Sequence, residues 1–311
     1  TTPREETMYY GGLLWGKPIN NNPMSSNSQN FVMSQTGIAR VLEYETLYMY
    51  NPMDGKLYGL LADGEPEWNA DRTELTVKLK PAAKWSDGTA FTAADVVATW
   101  DAHVKYESPT GADYGQYIVG VEAVDDNTVV IKSKPADDAQ YNPFKVEEYT
   151  SKIYQMQKAY LEKLDGELGG DSSEMKNATM WDAPITGAYQ LTTYDSEQRE
   201  VLTRRDDYWG QDASMWGTLP VPKYIAHNIY KDNAASQRAF EAGEIDTNQQ
   251  YITDIAALWE DKGLEISTWF DDAPYQLGMS MPGLVINTQR PGLDQKVVRQ
   301  AIATAIDYDH I

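Results

Sequence analysis

The sequence of 311 residues contains no cysteine and only three histidines. The lack of cysteine excludes disulfides, thiolate nucleophiles and cysteine-ligated metal sites. The histidines, His103, His227 and His310, lie far apart, and none has a second histidine at the spacing of a metal-binding motif. They are expected to be surface or structural residues, so we predict neither a metal site nor a cofactor.

Positive charge is scarce as well. Lys and Arg number 26 against 47 Asp and Glu, which gives a formal net charge of -21. A chain this acidic repels phosphate backbones and anionic lipid headgroups, which disfavours binding of nucleic acid or of a membrane surface. The sequence also lacks an apolar run of about 18 residues, and it opens on polar residues without a signal-peptide core. The chain is therefore either cytosolic or already processed.

Motifs of common enzymes are missing too, including G-x-S-x-G, H-E-x-x-H, the P-loop and G-x-G-x-x-G. Adjacent acidic pairs such as Asp125–Asp126 and Asp271–Asp272 do occur. A glycosidase needs two carboxyl groups at a set separation in space, and adjacent pairs are more typical of turns and solvated surfaces. We assign no catalytic residue, expect no enzyme, and keep a glycoside hydrolase only as a minor alternative.

What the sequence does contain is a mixture of strand and helix patterns. Residues 75–80 alternate apolar and polar side chains as a half-buried strand does, and residues 121–132 predict a hairpin. Thr92 precedes Asp95 by three residues and an apolar helical face follows, which predicts a capped helix start. This mixture predicts an α/β protein with mixed sheets.

Further along the chain, the patterns predict two more helices and one connection. Residues 151–164 and 294–306 have helical periodicity, and the second of these carries an apolar stripe. The glycine-containing, charged segment 166–177 predicts a surface connection. No internal repeat is evident.

A series of ordered blocks resembles one known family. The blocks are YETLY at 44–48, LLAD at 60–63, KWSDGTAFTAADVVATW at 84–100, PITGAY at 184–189, RRDDYW at 204–209, AGEID at 242–246, INT at 286–288 and VRQAIA at 298–303. They are similar to the family-5 extracellular solute-binding proteins, which include binders of oligopeptides, dipeptides, nickel and cello-oligosaccharides.

The resemblance implies a periplasmic-binding-protein-like α/β fold with two lobes hinged about a cleft, mixed sheets and an extra subdomain in lobe I. By this resemblance, residues 1–40 form the first part of lobe I, 41–179 the subdomain, 180–272 the second part of lobe I, and 273–311 the hinge and the start of lobe II. The second lobe is expected to be incomplete at residue 311.

The same resemblance implies capture of a small-molecule ligand for an ABC importer. The expected partner besides the ligand is the importer's membrane permease, and we expect a monomer with no nucleic-acid partner. The expected location is extracytoplasmic, either periplasmic or lipid-anchored on the outer face of the cell membrane.

For the ligand, the residues favour a β-linked oligosaccharide of the cello or manno type over a peptide, which stays the alternative. The asparagine-rich front loop 11–24 resembles that of the sugar-binding branch, and amide side chains match the donor and acceptor roles of a sugar hydroxyl. Sparse histidines disfavour nickel. The residues predicted to contact ligand are Trp15, Asn20, Asn22, Asn30, Tyr114, Trp181, Gln249, Gln250, Tyr251 and Trp269.

Overall fold

The computed structural model describes residues 2–11, 17–25, 40–194, 196–248, 252, 254–272, 275 and 284–307. The chain divides into two compact units, Thr1–Leu264 and Glu265–Ile311. The second unit contributes one regular element among its described residues, a helix near the end of the chain. The sheets all belong to the first unit.

The described strands are β1 (Thr7–Gly11), β2 (Tyr48–Asn51), β3 (Lys56–Gly59), β4 (Ala62–Trp68), β5 (Glu74–Leu79), β6 (Ile118–Asp125), β7 (Thr128–Ser133), β8 (Tyr189–Thr193), β9 (Arg199–Arg204), β10 (Tyr224–Asn228) and β11 (Thr247–Asn248). The described α-helices are α1 (Arg40–Glu43), α2 (Ala93–Lys105), α3 (Pro109–Tyr114), α4 (Pro143–Lys152), α5 (Lys158–Leu168), α6 (Ser172–Asn177), α7 (Asn233–Glu241), α8 (Ala257–Glu260) and α9 (Lys296–Ala305).

A mixed five-stranded sheet has the strand order β11-β1-β10-β9-β8. Strand β1 runs parallel to β10 and to β11, whereas β9 is antiparallel to both β10 and β8. Strand β8 therefore points in the same direction as β1, β10 and β11. The carboxyl ends of these four strands lie at one edge of the sheet, which we call the carboxyl edge.

The segment 48–133 forms two further sheets. Strands β4, β5, β7 and β6 make an antiparallel four-stranded sheet in that order, and β2 pairs with β3 in a separate hairpin. Helix α2 packs against β6 and β7. The five-stranded sheet thus consists of strands that precede or follow residues 41–179 in the sequence. The other two sheets lie within that segment. The predicted domain boundaries themselves stay predictions.

Several local predictions are confirmed. Strand β5 covers the predicted strand, and β6 with β7 forms the predicted hairpin. Helix α2 begins after Thr92, whose backbone N–H donates to Asp95 Oδ2 at 2.9 Å, the reciprocal bond of a capping box. Helix α9 lies within the predicted range near the chain end.

Two local predictions are wrong. The predicted helix 151–164 is interrupted between Lys152 and Lys158, because Met156 N donates to Thr99 Oγ1 at 2.9 Å and Gln155 N to Glu45 O at 3.1 Å. These long-range bonds replace helical ones. The predicted connection 166–177 contains the end of α5 and the whole of α6, which Asp171 caps by accepting from Ser173 N and Glu174 N.

Two apolar clusters make up the core of the first unit. The larger cluster joins the inner faces of the sheets with Trp85, Trp100 and Tyr149. The smaller one lies between α2, α5 and α6 and is rich in methionine, with Met24, Met156, Met175, Met180, Ala102, Tyr106 and Leu161. Among the helices that the described residues form, none is long and apolar enough to span a lipid bilayer.

Candidate functional site

In α/β proteins, ligands bind at the carboxyl edge of the sheet, because the loops that follow the parallel strands all lie on that side. Gly11 ends β1 and pairs with Asn248, which ends β11. A Cβ on Gly11 would lie 3.0 Å from Asn248 Oδ1 and 2.9 Å from Ile245 Cδ1. Glycine at this position therefore lets β11 approach β1 closely.

Five predicted ligand contacts, Trp15, Asn30, Gln249, Gln250 and Tyr251, lie outside the described residues. Described neighbours of Gln249 and of Trp15 are at the carboxyl edge. Gln249 follows Asn248 directly, and Lys17, two residues after Trp15, places its Nζ 3.5 Å from Glu197 Oε1 in the turn between β8 and β9. The ligand contacts of these five residues stay a prediction.

Asn20 and Asn22 are buried in the front loop and hold it in place. Asn22 Nδ2 donates to Met175 O at 2.8 Å and to Ala178 O at 3.1 Å, which uses both amide hydrogens. Asn20 Oδ1 accepts from Asn22 N at 3.2 Å. This structural role was not predicted from the sequence. A ligand contact by Asn22 would have to use Oδ1, which already accepts from Met24 N at 2.8 Å.

Tyr114 lies at the end of α3 in the larger apolar cluster, where it is almost fully buried. Its ring centroid is 5.5 Å from that of Tyr149 in an edge-to-face arrangement, and its Oη donates to Glu148 Oε2 at 3.3 Å. Burial and the Glu148 carboxylate raise the pKa of the Tyr114 hydroxyl. These contacts give Tyr114 a packing role, and its contact with ligand stays a prediction.

Trp181 and Trp269 differ in their surroundings. The Trp181 ring stacks on Tyr194 with a centroid distance of 4.4 Å and an interplanar angle of 15°. Since Tyr194 directly follows β8, the pair lies at the carboxyl edge. Trp269 belongs to the second unit, where it is 62% exposed. Sequence reasoning missed Tyr194, which directly follows strand β8.

A row of buried polar residues crosses three strands next to the carboxyl edge. Tyr10 pairs with His227, and His227 pairs with Glu200. The Tyr10 and His227 rings are 5.6 Å apart. His227 Nδ1 lies 2.8 Å from Asn228 O and so carries the ring proton, and burial lowers the pKa of His227 to about 4. This histidine is therefore neutral at physiological pH.

Burial also raises the pKa of two carboxyl groups near this row. Burial raises the pKa of Glu200 well above its usual range, and the Glu43 carboxylate adds to this effect. Glu43 Oε1 accepts from Leu191 N at 2.7 Å, but burial still raises the pKa of Glu43 to about 7. Burial thus favours the neutral form of each of these groups.

Within the part of the chain that the structure describes, no group of three or more Asp, Glu or His side chains is arranged to hold a metal ion. His103 is buried, with Nδ1 2.7 Å from Ser108 Oγ, and His227 is buried in the sheet. Both have the structural role expected from the sequence. His310 lies outside the described residues.

The mixed α/β architecture is that of a periplasmic-binding-protein-like fold, as expected, since it superimposes on solved structures of periplasmic binding proteins. The sequence profile of bacterial extracellular solute-binding proteins, family 5 Middle, matches residues 56–311. The chain belongs to this family, which confirms the resemblance noted in the sequence.

Three similar proteins illustrate the relationship. The mannohexaose-bound periplasmic oligopeptide-binding protein of Thermotoga maritima superimposes with a TM-score of 0.80 and 25% identity, covering 98% of this chain and 52% of that one. The probable peptide-binding protein YejA of Agrobacterium fabrum is 24% identical over 89% of this chain and 44% of its own length. The peptidoglycan-binding protein YepA of the same organism is 25% identical over 86% and 43%. The chain thus spans about half the length of these relatives.

Proposed function

We propose that this protein captures a β-linked oligosaccharide, of the cello or manno type, and delivers it to an ABC importer without converting it chemically. The choice of ligand class rests on one observation. The Thermotoga maritima structure that covers 98% of this chain with a TM-score of 0.80 was obtained with mannohexaose bound. The carboxyl edge supports the proposal, since it combines an aromatic pair with neutral buried groups.

The proposal includes the setting in which such a protein works. The partner is the membrane permease of the importer, and the protein acts as a monomer. It is located outside the cytoplasm, in the periplasm or attached by lipid to the outer face of the cell membrane. The family consists of extracellular solute-binding proteins, which supports this location.

A peptide is the second candidate ligand. A relative in Agrobacterium fabrum is described as a probable peptide-binding protein, and the Thermotoga maritima protein is itself named an oligopeptide-binding protein. Peptides are bound through charged termini and backbone hydrogen bonds, whereas sugars need aromatic faces and paired donors and acceptors. The two ligand classes therefore respond differently to loss of an aromatic side chain.

Isothermal titration of the full-length protein with mannohexaose, cellohexaose and trialanine tests the proposal. We expect heat of binding from at least one of the sugars and none from the peptide. Trp15→Ala is expected to weaken sugar binding by about 1 kcal/mol or more, the contribution of an aromatic contact. Tight binding of trialanine with no response to either sugar would establish the peptide alternative instead.

A further inference from the structure

The Trp181–Tyr194 pair is a nearly parallel aromatic stack, with ring centroids 4.4 Å apart and planes inclined by 15°. Both rings are half-buried and pack on their inner side against the larger apolar cluster. In this arrangement each ring covers one face of the other, so each keeps a single outer face, with the indole N–H and the phenol O–H at the ring margins. Each ring therefore supports the other and fixes the orientation of its outer face.

The position of the pair follows from the topology of the sheet. Tyr194 comes directly after β8, whose carboxyl end lies at the same edge as those of β1, β10 and β11. The turn that follows Tyr194 contains Glu197, which forms an ion pair with Lys17 of the front loop. The turn that follows the aromatic pair thus contacts the front loop.

The chain on both sides of Trp181 is fixed before any ligand binds. Met180 has a positive φ of 52°, a left-handed conformation that costs a bulky residue about 1 kcal/mol or more. Its side chain is buried in the methionine-rich cluster, which holds the backbone there. On the other side, Asp182 Oδ1 accepts from Tyr160 Oη at 2.8 Å. A preformed surface of this kind loses little entropy when a ligand packs on it.

We propose that the outer face of Tyr194 forms the stacking surface for one pyranose ring of the bound oligosaccharide, with Trp181 supporting it from the other face, so that Tyr194 is a specificity-determining residue. This inference rests on the proposed function. The C–H face of a pyranose is apolar and flat, so it matches an aromatic surface, while its hydroxyls reach polar groups at the margin. A peptide backbone has no such face and gains little from the pair.

Binding of mannohexaose to variants of the full-length protein tests this assignment. Tyr194→Ala and Tyr194→Leu are expected to weaken binding about threefold to tenfold, the range for an aromatic contact, and Tyr194→Phe to keep it. Tyr194→Leu maintains apolar packing and serves if the alanine variant does not fold. The matched control is Trp216→Ala, because Trp216 is 55% exposed on the connection between β9 and β10, at the opposite edge of the sheet.

Tryptophan fluorescence distinguishes direct contact of the pair with the sugar from a purely structural role. If a sugar ring packs on the pair, mannohexaose changes the tryptophan fluorescence of the parent protein, and Trp181→Phe removes that part of the signal. Unchanged affinity in both Tyr194→Ala and Tyr194→Leu would overturn the assignment while the proposed function stands. A parent protein that binds no mannohexaose or cellohexaose would instead overturn the proposed function, and the stacking surface with it.

Discussion

Glu200 and His227 lie directly opposite each other on the paired strands β9 and β10, and both side chains are completely buried. Among the residues that the structure describes, neither Glu200 carboxyl oxygen has a hydrogen-bond partner, and the same holds for His227 Nε2. Burial acts on the two groups in opposite directions, raising the pKa of Glu200 and lowering that of His227 to about 4. Their protonation therefore links the stability of the sheet to pH in opposite ways.

Glu200→Gln is expected to stabilise the protein at alkaline pH. The stability that the protonated Glu200 contributes is fully present below its ordinary pKa of 4.5 and is lost as the pH rises through its raised pKa in the folded state. A neutral amide does not suffer this loss. Chemical unfolding should show a gain of about 1 kcal/mol or more at pH 8, with a much smaller difference at pH 4.5.

The control for this measurement is Glu5→Gln, which changes an exposed carboxyl on the amino side of β1. This substitution should leave the pH dependence of the unfolding free energy unchanged. The contribution of His227 to stability has the opposite pH dependence. It is present while His227 is neutral and is lost as the pH falls through about 4. An identical pH profile for the parent protein and Glu200→Gln between pH 4.5 and 8 would contradict the assignment.

Lys80→Met is expected to destabilise the protein by about 2–4 kcal/mol, since buried carbonyl groups lose their only charged donor. Lys80 Nζ donates to Gly59 O and Leu60 O, both at 3.1 Å, and also to Ala62 O. Methionine keeps the length of the side chain but supplies no donor. Lys78→Met, on strand β5 just before Lys80, changes an exposed side chain and should shift the unfolding free energy by less than about 0.5 kcal/mol.

Tyr208→Phe removes a hydrogen bond to a buried carboxyl group. Tyr208 Oη donates to Glu45 Oε1 at 2.6 Å, and Trp209 Nε1 donates to Oε2 at 3.0 Å, while burial raises the pKa of Glu45 to about 7. We expect a loss of about 1–3 kcal/mol, larger at pH 8 than at pH 5 because a carboxylate accepts stronger hydrogen bonds than a carboxylic acid. Equal losses at both pH values would contradict this account. Tyr50→Phe, at an exposed tyrosine, is the control.

Asn22→Asp tests whether this residue supports the loop or binds the ligand. The substitution replaces two amide hydrogens by a carboxylate oxygen that faces Met175 O and Ala178 O. We expect a loss of about 2 kcal/mol or more and faster hydrogen exchange in residues 20–25. Asn127→Asp, in an exposed turn, should have little effect on either. Unchanged stability together with lost sugar binding would instead make Asn22 a ligand contact.

The elements that the sequence predicted well are those whose cause is local. Thr92 and Asp95 lie within one turn of each other, and the two strands of the β6–β7 hairpin are joined by a short turn. The family was predictable because its blocks lie in order along the chain. In contrast, the break in the helix at Met156 depends on Thr99, a residue on another helix. A local pattern carries no information about such a partner.

Buried charged groups were the other feature that sequence reasoning missed. Glu45 is joined to Tyr208 and Glu43 to Leu191, in each case across more than a hundred residues of chain. In the sequence, each of these glutamates has the pattern of a surface residue. At the candidate site, the stack of Trp181 on Tyr194 was equally hidden, because the sequence separates the two rings and only the β8 strand end brings them together.

The arrangement of strands also sets an order for folding on the ribosome. Strand β1 is synthesised first, yet both of its neighbours come late, since Thr7 pairs with Tyr224 and Gly11 with Asn248. The sheet formed by β4–β7 closes within residues 62–133 and needs no later part of the chain. Contacts between distant residues form slowly, and domains fold as units during synthesis. We therefore expect β1 to stay unpaired in the nascent chain while residues 62–133 fold, and the carboxyl edge to assemble after them.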